Sequence, residues 1–271
     1  MSRSLKTQLK RAILSPGMIL SVIIGTYLLT SGFLLNVIMY NISVGPLSIK
    51  EASSTFLEDI NSSHALGGFD LFAPILAVLP AVTFFCEDYN SGYIKSILGR
   101  VNRKRYLNEH LICSTVAGGL SIFLPTLISS AFYMVIGGPY LEENIRQGYE
   151  SLYAASIFKD IQFIFGGGLI VVLLLILSFL FGAVWSNVGL CISVLHPNRY
   201  IALAFPFVLY FFLFLFCYRI NALLFLSPVN MLMPDVSVIT FLGYPFIYQA
   251  VWLAVVSGLF FFGAKRRLRD V

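Results

Sequence analysis

Six long apolar stretches without a charge in their middles are the feature of this 271-residue sequence that most restricts its fold. A bilayer core about 30 Å thick needs about 20 helical residues to cross it. A Lys, Arg or Asp at its centre costs roughly 2.5–3.5 kcal/mol. The second stretch is short for a span unless it begins before Asp70. The predicted transmembrane spans are residues 17–40, 71–86, 111–136, 161–184, 201–218 and 246–264.

The basic residues alternate with these spans. Thirteen of the 18 Lys and Arg residues lie in three patches on one side, and Arg199 lies in the remaining loop of that side. Loops of the other side hold four basic residues and nine of the 13 acids. Cytoplasmic loops carry the excess of Lys and Arg, so both termini are predicted to be cytoplasmic. The patches are Arg3, Lys6, Lys10 and Arg11; Lys95, Arg100, Arg103, Lys104 and Arg105; and Lys265, Arg266, Arg267 and Arg269.

The composition supports an all-α, polytopic membrane protein. Mean hydropathy is +0.85, 58% of residues are hydrophobic and only 11% are charged, whereas soluble domains have about 25% charged residues. The net charge of +5 is therefore assigned to membrane-flanking segments that meet anionic headgroups, and nucleic acid is not an expected partner. The four Cys residues have no metal-ligand spacing and are predicted to be packing residues.

Two flanking segments have their own predicted structure. Residues 1–15 predict an amphipathic helix on the inner membrane surface, ended by the Ser-Pro-Gly sequence at 15–17; a flexible basic tail is the alternative. Residues 220–245 contain one charge, Asp235, and helix-breaking Pro and Gly residues. They predict a re-entrant pair of half-helices near the outer surface, because a seventh span would carry the basic C-terminus outside. In the first helix, Leu5, Leu9 and Ile13 fall on one face and Lys6, Lys10 and Arg11 towards another.

The sequence lacks the patterns of an enzyme. Its three His residues have no second His at i+3 or i+4, and no stretch matches the phosphate-binding pattern GxxxxGK[ST]. The spans contain no ionisable residue of the kind that ion-coupled carriers use. We therefore expect no catalytic site, no metal and no cofactor bound by this chain.

The segment 87–105 is the most informative part that lies on the predicted cytoplasmic side. It begins with two acids, has Gly92 as a flexible point, continues as a short predicted helix and ends in a basic cluster. A solvated loop needs no apolar stripe, so docking on a partner protein is favoured over contact with lipid headgroups. The apolar stripe consists of Tyr93, Ile94, Ile97 and Leu98.

In its order of segments the chain resembles the permease subunits of type-2 ABC exporters. The resemblance covers nearly the whole length: a basic amphipathic helix ending in Ser-Pro, six spans, a re-entrant element before the sixth and a basic C-terminus. The second span ends in Phe-Phe-Cys-Glu at 84–87. The inside segment of that family follows the pattern E-x(4)-G-x(5)-L-x(4)-R. Glu87, Gly92, Leu98 and Arg103 stand at the patterned positions, while Val101 and His110 replace a frequent Pro and Lys.

The resemblance implies that residues 87–105 are a coupling segment seated in a cleft of a separate ATPase subunit. Two permeases, copies or paralogues, would work with two ATPases that bind ATP and Mg²⁺. Cargo would cross between the permeases by alternating access. Arg103 and its two basic neighbours would hold phospholipid or acidic groups, or only anchor the topology. The residues implied in ATPase coupling are Glu87, Asp88, Gly92, Ile94, Ile97, Leu98 and Arg103.

The resemblance also implies that the second and fifth spans line the path in a bacterial cell membrane. An apolar lining suits an amphipathic or hydrophobic cargo such as a peptide, drug or lipid, although the aromatic residues of the fifth span fit lipid-facing packing equally well. A non-transporting receptor or immunity protein that binds an antimicrobial peptide is the alternative, and a secondary carrier is another. The path residues named on this basis are Pro80, Thr83, Pro206, Tyr210 and Phe211.

Overall fold

The computed structural model describes residues 3–44, 64, 67–99, 101–137, 167–233, 241 and 243–267. These residues form helices and no strand, so the predicted all-α class is confirmed. Two short 3-10 helices, Asn221–Leu226 and Val229–Met231, follow the eighth α-helix. The α-helices are α1 (Arg3–Ile13), α2 (Pro16–Val44), α3 (Phe69–Val78), α4 (Thr83–Asn90), α5 (Tyr93–Leu98), α6 (Arg103–Gly137), α7 (Gly167–Leu195), α8 (Arg199–Arg219) and α9 (Tyr244–Arg267).

Six helical segments are long and apolar enough to cross a membrane, as the sequence predicts. Each has at least 20 residues, which matches the thickness of a bilayer core. The chain is therefore compatible with a multi-pass membrane protein. The segments are Pro16–Leu35, Phe69–Asn90, Arg103–Tyr133, Val171–Leu195, Arg199–Arg219 and Tyr244–Arg267.

Several helices extend beyond the predicted spans. The third was expected from residue 111 but α6 begins at Arg103, and the fourth was expected to end at residue 184 but α7 continues to Leu195. Backbone hydrogen bonding continues a helix through polar residues that hydropathy excludes. The predicted start of the fourth span at residue 161 lies outside the described residues.

The second span is interrupted and longer than the predicted 71–86. Residues 79–82 form turns between α3 and α4, and Pro80 lies among them. Because Pro has no backbone N–H, it removes a helical hydrogen bond at this point. The Ser15 hydroxyl, just before α2, donates a hydrogen bond of 3.3 Å to the Pro80 carbonyl oxygen. The elbow that enters the first span therefore contacts the break in the second.

Helix α7 occupies the centre of the bundle and packs against α3, α6, α8 and α9. Its contact with α6 uses small and polar residues, which let two helix backbones approach closely. A side chain on Gly182 would collide with the carbonyl oxygen of Gly118. Nearby, the hydroxyls of Ser114 and Ser186 are 2.8 Å apart. This close contact makes α6 and α7 the best-packed pair of spans.

The outer helices are much less covered. Only 22% of the span in α8 and 17% of the span in α9 are buried, against 67% for α7. Helix α1 packs through Leu9 and Ala12 against Cys113 and Ala117 of α6. Ile13, which was also expected on the apolar face of α1, is 40% exposed, as a side chain directed at a membrane surface would be. Residues 3–13 are thus a docked helix and not the alternative flexible tail.

The re-entrant pair of half-helices predicted for residues 220–245 stays a prediction. The described part of this segment has the two 3-10 helices, and the Gln249 side chain of α9 donates a hydrogen bond of 2.6 Å to the Met231 carbonyl. Residues 234–240 and 242 lie outside the described residues. So do residues 45–63 and 138–166, which hold most of the first two loops on the predicted outer side.

Candidate coupling site at the basic end of the bundle

The segments that the charge pattern assigns to one side lie together at one end of the bundle. The Asn90 side chain at the end of α4 donates a hydrogen bond of 3.0 Å to the Pro197 carbonyl between α7 and α8. Arg267, in α9, donates a bond of 3.5 Å to the Leu195 carbonyl. Helix α1 reaches α4 through the contact of Arg11 with Glu87. We call this end, formed by α1, α4, α5, residues 196–199 and the end of α9, the basic end.

Helix α1 is fastened to α4 by Arg11. Its guanidinium donates a hydrogen bond of 2.6 Å to the Glu87 carboxylate and lies 3.9 Å from that of Asp88. The same guanidinium lies 4.2 Å from the centre of the Phe84 ring, a cation–π contact. Arg11 and Glu87 are about half exposed, and such a pair contributes about 0–1 kcal/mol. The Glu87 and Asp88 carboxylates, expected to contact an ATPase, thus have a partner within the chain.

The Asp88 carboxylate lies deeper than that of Glu87. Asp88 is only 7% exposed and accepts a hydrogen bond of 3.1 Å from the buried hydroxyl of Tyr106, in α6. The Nε2 atom of His110 is 3.3 Å from the same carboxylate, without the alignment of a hydrogen bond. A buried carboxylate needs such partners to offset the loss of water. Asp88 therefore joins α4 to α6.

Helix α5 follows a tight turn at Gly92, whose φ of 71° is in the left-handed region that favours glycine. One face of α5 points into the bundle. Ile94 is 2% exposed, and Ile97 packs against the same apolar cluster. This inner face joins the ends of four other helices, since the cluster contains Phe85 of α4, Tyr106 and Leu107 of α6, Leu190 and Val194 of α7, and Phe260 and Ala264 of α9.

The other face of α5 is open. Tyr93 is 52% exposed, and Gly92, Ser96 and Arg103 are also exposed. The side chain of Leu98 lies outside the described part of the chain. The residues named for ATPase coupling did not include Ser96, and Tyr93 was predicted only as a member of the apolar stripe. The i, i+3 spacing of Tyr93 and Ser96 could have indicated this exposed face, because it places the two residues together on a face other than that of Ile94.

Most of the residues expected to line a path do not face an opening within one chain. Pro80, Pro206 and Tyr210 are buried, and Thr83 is partly buried. The Tyr210 hydroxyl donates a hydrogen bond of 2.7 Å to the Asp70 carbonyl, which ties α8 to α3. Phe211 differs from them because it is 39% exposed on the outside of α8.

The interior between α7, α8 and α9 is nearly filled. A void of about 10 Å³ lies there against Trp185, Leu213 and Trp252. Such a volume holds about one water molecule. A cargo path cannot run through this void in the described conformation of one chain.

Among the residues that the structure describes, no group of three or more His, Cys, Asp or Glu side chains is arranged to hold a metal ion. Comparison of the chain with protein-family models, curated proteins and solved structures gives no match. The geometry of the basic end is therefore the basis for the functional argument.

Proposed function

We propose that the chain is the transmembrane permease subunit of an ATP-driven ABC exporter that works with a separate ATPase. The observation that carries this proposal is that α5 buries one face in the bundle and exposes the other. Its inner face is held in the chain's own core by Ile94, while Tyr93 and Ser96 leave its outer face free. A short surface helix of this kind can transmit a force that a partner applies to it.

The apolar cluster beneath α5 supports a route for that force. Ile94 contacts a cluster to which α4, α6, α7 and α9 all contribute. Interiors this closely packed deform little, so a displacement of one member shifts its neighbours. In the proposed cycle, ATP binding closes a pair of ATPase subunits and draws two α5 helices together. The attached spans then change from an inward-open to an outward-open arrangement.

The ATPase contact is proposed on the outer face of α5 and no longer on the acids of α4. Glu87 is paired with Arg11, and Asp88 is buried against Tyr106. Breaking these contacts to pair with an ATPase would leave the buried Tyr106 hydroxyl without its acceptor, which costs about 1–3 kcal/mol. Tyr93, Ser96 and Arg103 require no such rearrangement.

The cargo path is proposed between two permeases, copies or paralogues. Helices α8 and α9 are the least covered spans, and α8 exposes Phe211 and Phe212. Such faces must meet either lipid or another subunit. An aromatic lining supports an amphipathic or hydrophobic cargo and disfavours sugars.

The test is purification of the tagged chain from membranes of its source cell, followed by mass spectrometry and an ATPase assay. We expect an ABC ATPase to co-purify and hydrolyse ATP. Tyr93→Asp is expected to reduce the recovered ATPase at least tenfold. Tyr200→Asp is the matched control, because Tyr200 is 66% exposed in α8 at the same end.

Failure of any ATPase to co-purify, together with full transport by the isolated chain, would overturn the proposal. If Tyr200→Asp lowers ATPase recovery as much as Tyr93→Asp does, α5 is not the contact. Both variant chains are first checked for normal membrane insertion and for a single peak in size-exclusion chromatography.

A further inference from the structure

An open groove runs along α1 beside the elbow that leads into α2. It has a volume of about 610 Å³, within the roughly 300–1,000 Å³ of small-molecule sites. Its lining combines polar and apolar groups. The polar ones are Thr7, Lys10, Arg11 and Ser15, and the apolar ones include Leu14 and Phe84.

Lys10 gives the groove a net positive charge among the described residues. Arg11 is paired with Glu87, but Lys10 is exposed and has no ion pair within the described ranges. The Ser15 hydroxyl accepts a hydrogen bond of 3.1 Å from the Met18 N–H, so the groove also adjoins the start of the 29-residue α2. The N–H groups of Met18 and Ile19 at this helix start are already bonded to Ser15, so Lys10 is the main attraction for an anion.

The apolar side of the groove is open at the level where the first span begins. Leu14 is 65% exposed, and Ile19 in the first turns of α2 is 57% exposed. Exposed side chains of this size at the end of a transmembrane helix are solvated by acyl chains. In a bilayer that α2 spans, the groove would open at the boundary between headgroups and hydrocarbon.

We propose that this groove binds an anionic phospholipid, with its phosphate beside Lys10 and the start of α2 and its proximal acyl chain along Leu14 and Phe84. Basic pockets beside membrane helices are suited to anionic headgroups. The inference requires only that the chain spans a membrane. It is independent of the proposed ATPase partner and of any cargo.

The experiment uses the full chain, purified in a neutral detergent and titrated with phosphatidylglycerol or phosphatidylcholine while its thermal stability is measured. We expect stabilisation by phosphatidylglycerol alone. Lys10→Gln should weaken the apparent affinity about fivefold, since one basic residue near an anionic surface contributes about that factor. Lys10→Arg should retain it. Lys6→Gln is the matched control, because Lys6 is exposed on the same helix outside the groove.

Two further measurements distinguish the source of the anion and the role of the apolar wall. Inorganic phosphate at the same concentration should not stabilise the chain, and Leu14→Asn should weaken the response to phosphatidylglycerol. Equal stabilisation by phosphate would overturn the lipid proposal in favour of a free anion.

Equal losses of lipid affinity in Lys6→Gln and Lys10→Gln would overturn the proposal, because they would indicate diffuse electrostatic attraction to α1 and no specific site. An unchanged lipid response in Lys10→Gln would also overturn the proposal. If that variant instead bound less ATPase, the groove would be assigned to a protein contact.

Discussion

Glu87 and Asp88 are neighbours in sequence with different environments. Glu87 is at the surface and is paired with Arg11, whereas Asp88 is 7% exposed and accepts a hydrogen bond from buried Tyr106. A surface ion pair contributes little because water screens it. A buried acceptor contributes more, because the buried donor finds no other hydrogen-bond partner once the acceptor is removed. The two acids should therefore respond differently to truncation.

Asp88→Ala should destabilise the chain by about 1–3 kcal/mol, because it leaves the Tyr106 hydroxyl buried without an acceptor. Glu87→Ala is the control and should cost no more than about 1 kcal/mol. The measurement is the apparent melting temperature in detergent. Equal decreases in the two variants would contradict the assignment of Asp88 as the link between α4 and α6.

Gly92 is the second residue with a specific conformational role. Its φ of 71° places it in the left-handed region, and no atom would obstruct a side chain there. Gly92→Val should cost about 1–2 kcal/mol of backbone strain, whereas Gly92→Asn should cost less because Asn tolerates this conformation. Thermal melts of both variants provide the test. A Val variant as stable as the Asn variant would show that the turn before α5 can take another form.

At the scale of helices, hydropathy locates the spans but not their ends. The number of long apolar helices was predictable, because a helix that crosses a bilayer must have a minimum length and few charged residues in its middle. The start of α6 at Arg103 was not, since its first turns are polar and hydropathy does not distinguish them from a loop. The break at residues 79–82 could be suspected from Pro80 alone, but its contact with Ser15 involves residues 65 positions apart.

The site was predictable only in part. The i, i+3 pair Ile94 and Ile97 lies in a short helix, but the prediction that this apolar stripe docks on a partner does not describe these two side chains. Such a stripe indicates burial without saying against what, and here it packs on the chain's own core. The Arg11–Glu87 pair joins residues 76 positions apart and has no local sequence signal.

The packing of α6 on α7 gives a prediction for an element. Gly182→Ala should destabilise the bundle by roughly 1–3 kcal/mol or more, because the new methyl group meets the Gly118 carbonyl. Gly258→Ala, in α9, is the matched control, since no atom lies within 4 Å of its added carbon. We expect it to be neutral or slightly stabilising, as Ala favours helix.

Melting temperatures and resistance to proteolysis in detergent distinguish the two glycines. A Gly182 variant that is as stable as wild type would mean that α6 and α7 can separate without loss. A Gly258 variant that is strongly destabilised would instead indicate a contact of α9 with another subunit.

For the whole molecule, the contacts of the basic end agree with the charge pattern. Arg11, Asn90 and Arg267 each connect segments that the sequence assigns to the same side. Helix α1 and the end of α9, near the two described chain ends, both lie at this end of the bundle, as six crossings would require. We expect it to be the cytoplasmic one, because Lys and Arg are retained there during insertion.

Cysteine labelling of intact cells tests this orientation. Ser96→Cys should be protected from a membrane-impermeant thiol reagent, whereas Arg219→Cys, at the other end of α8, should react. Both positions are exposed, so access depends on the side of the membrane. The native Cys86, Cys113 and Cys217 are buried, which keeps the background low, and replacing all four native Cys residues by Ser removes it. Rapid labelling of residue 96 from outside the cell would show that the orientation is the opposite of the predicted one.

The central position of α7 has a consequence for biosynthesis. Spans enter the membrane in the order of translation, and α7 belongs to the fourth of six. The three earlier spans therefore leave the ribosome before the helix that would cover their shared surface exists. A nascent chain that stops before Gly167 therefore presents the glycine and serine face of α6 that α7 covers in the complete bundle.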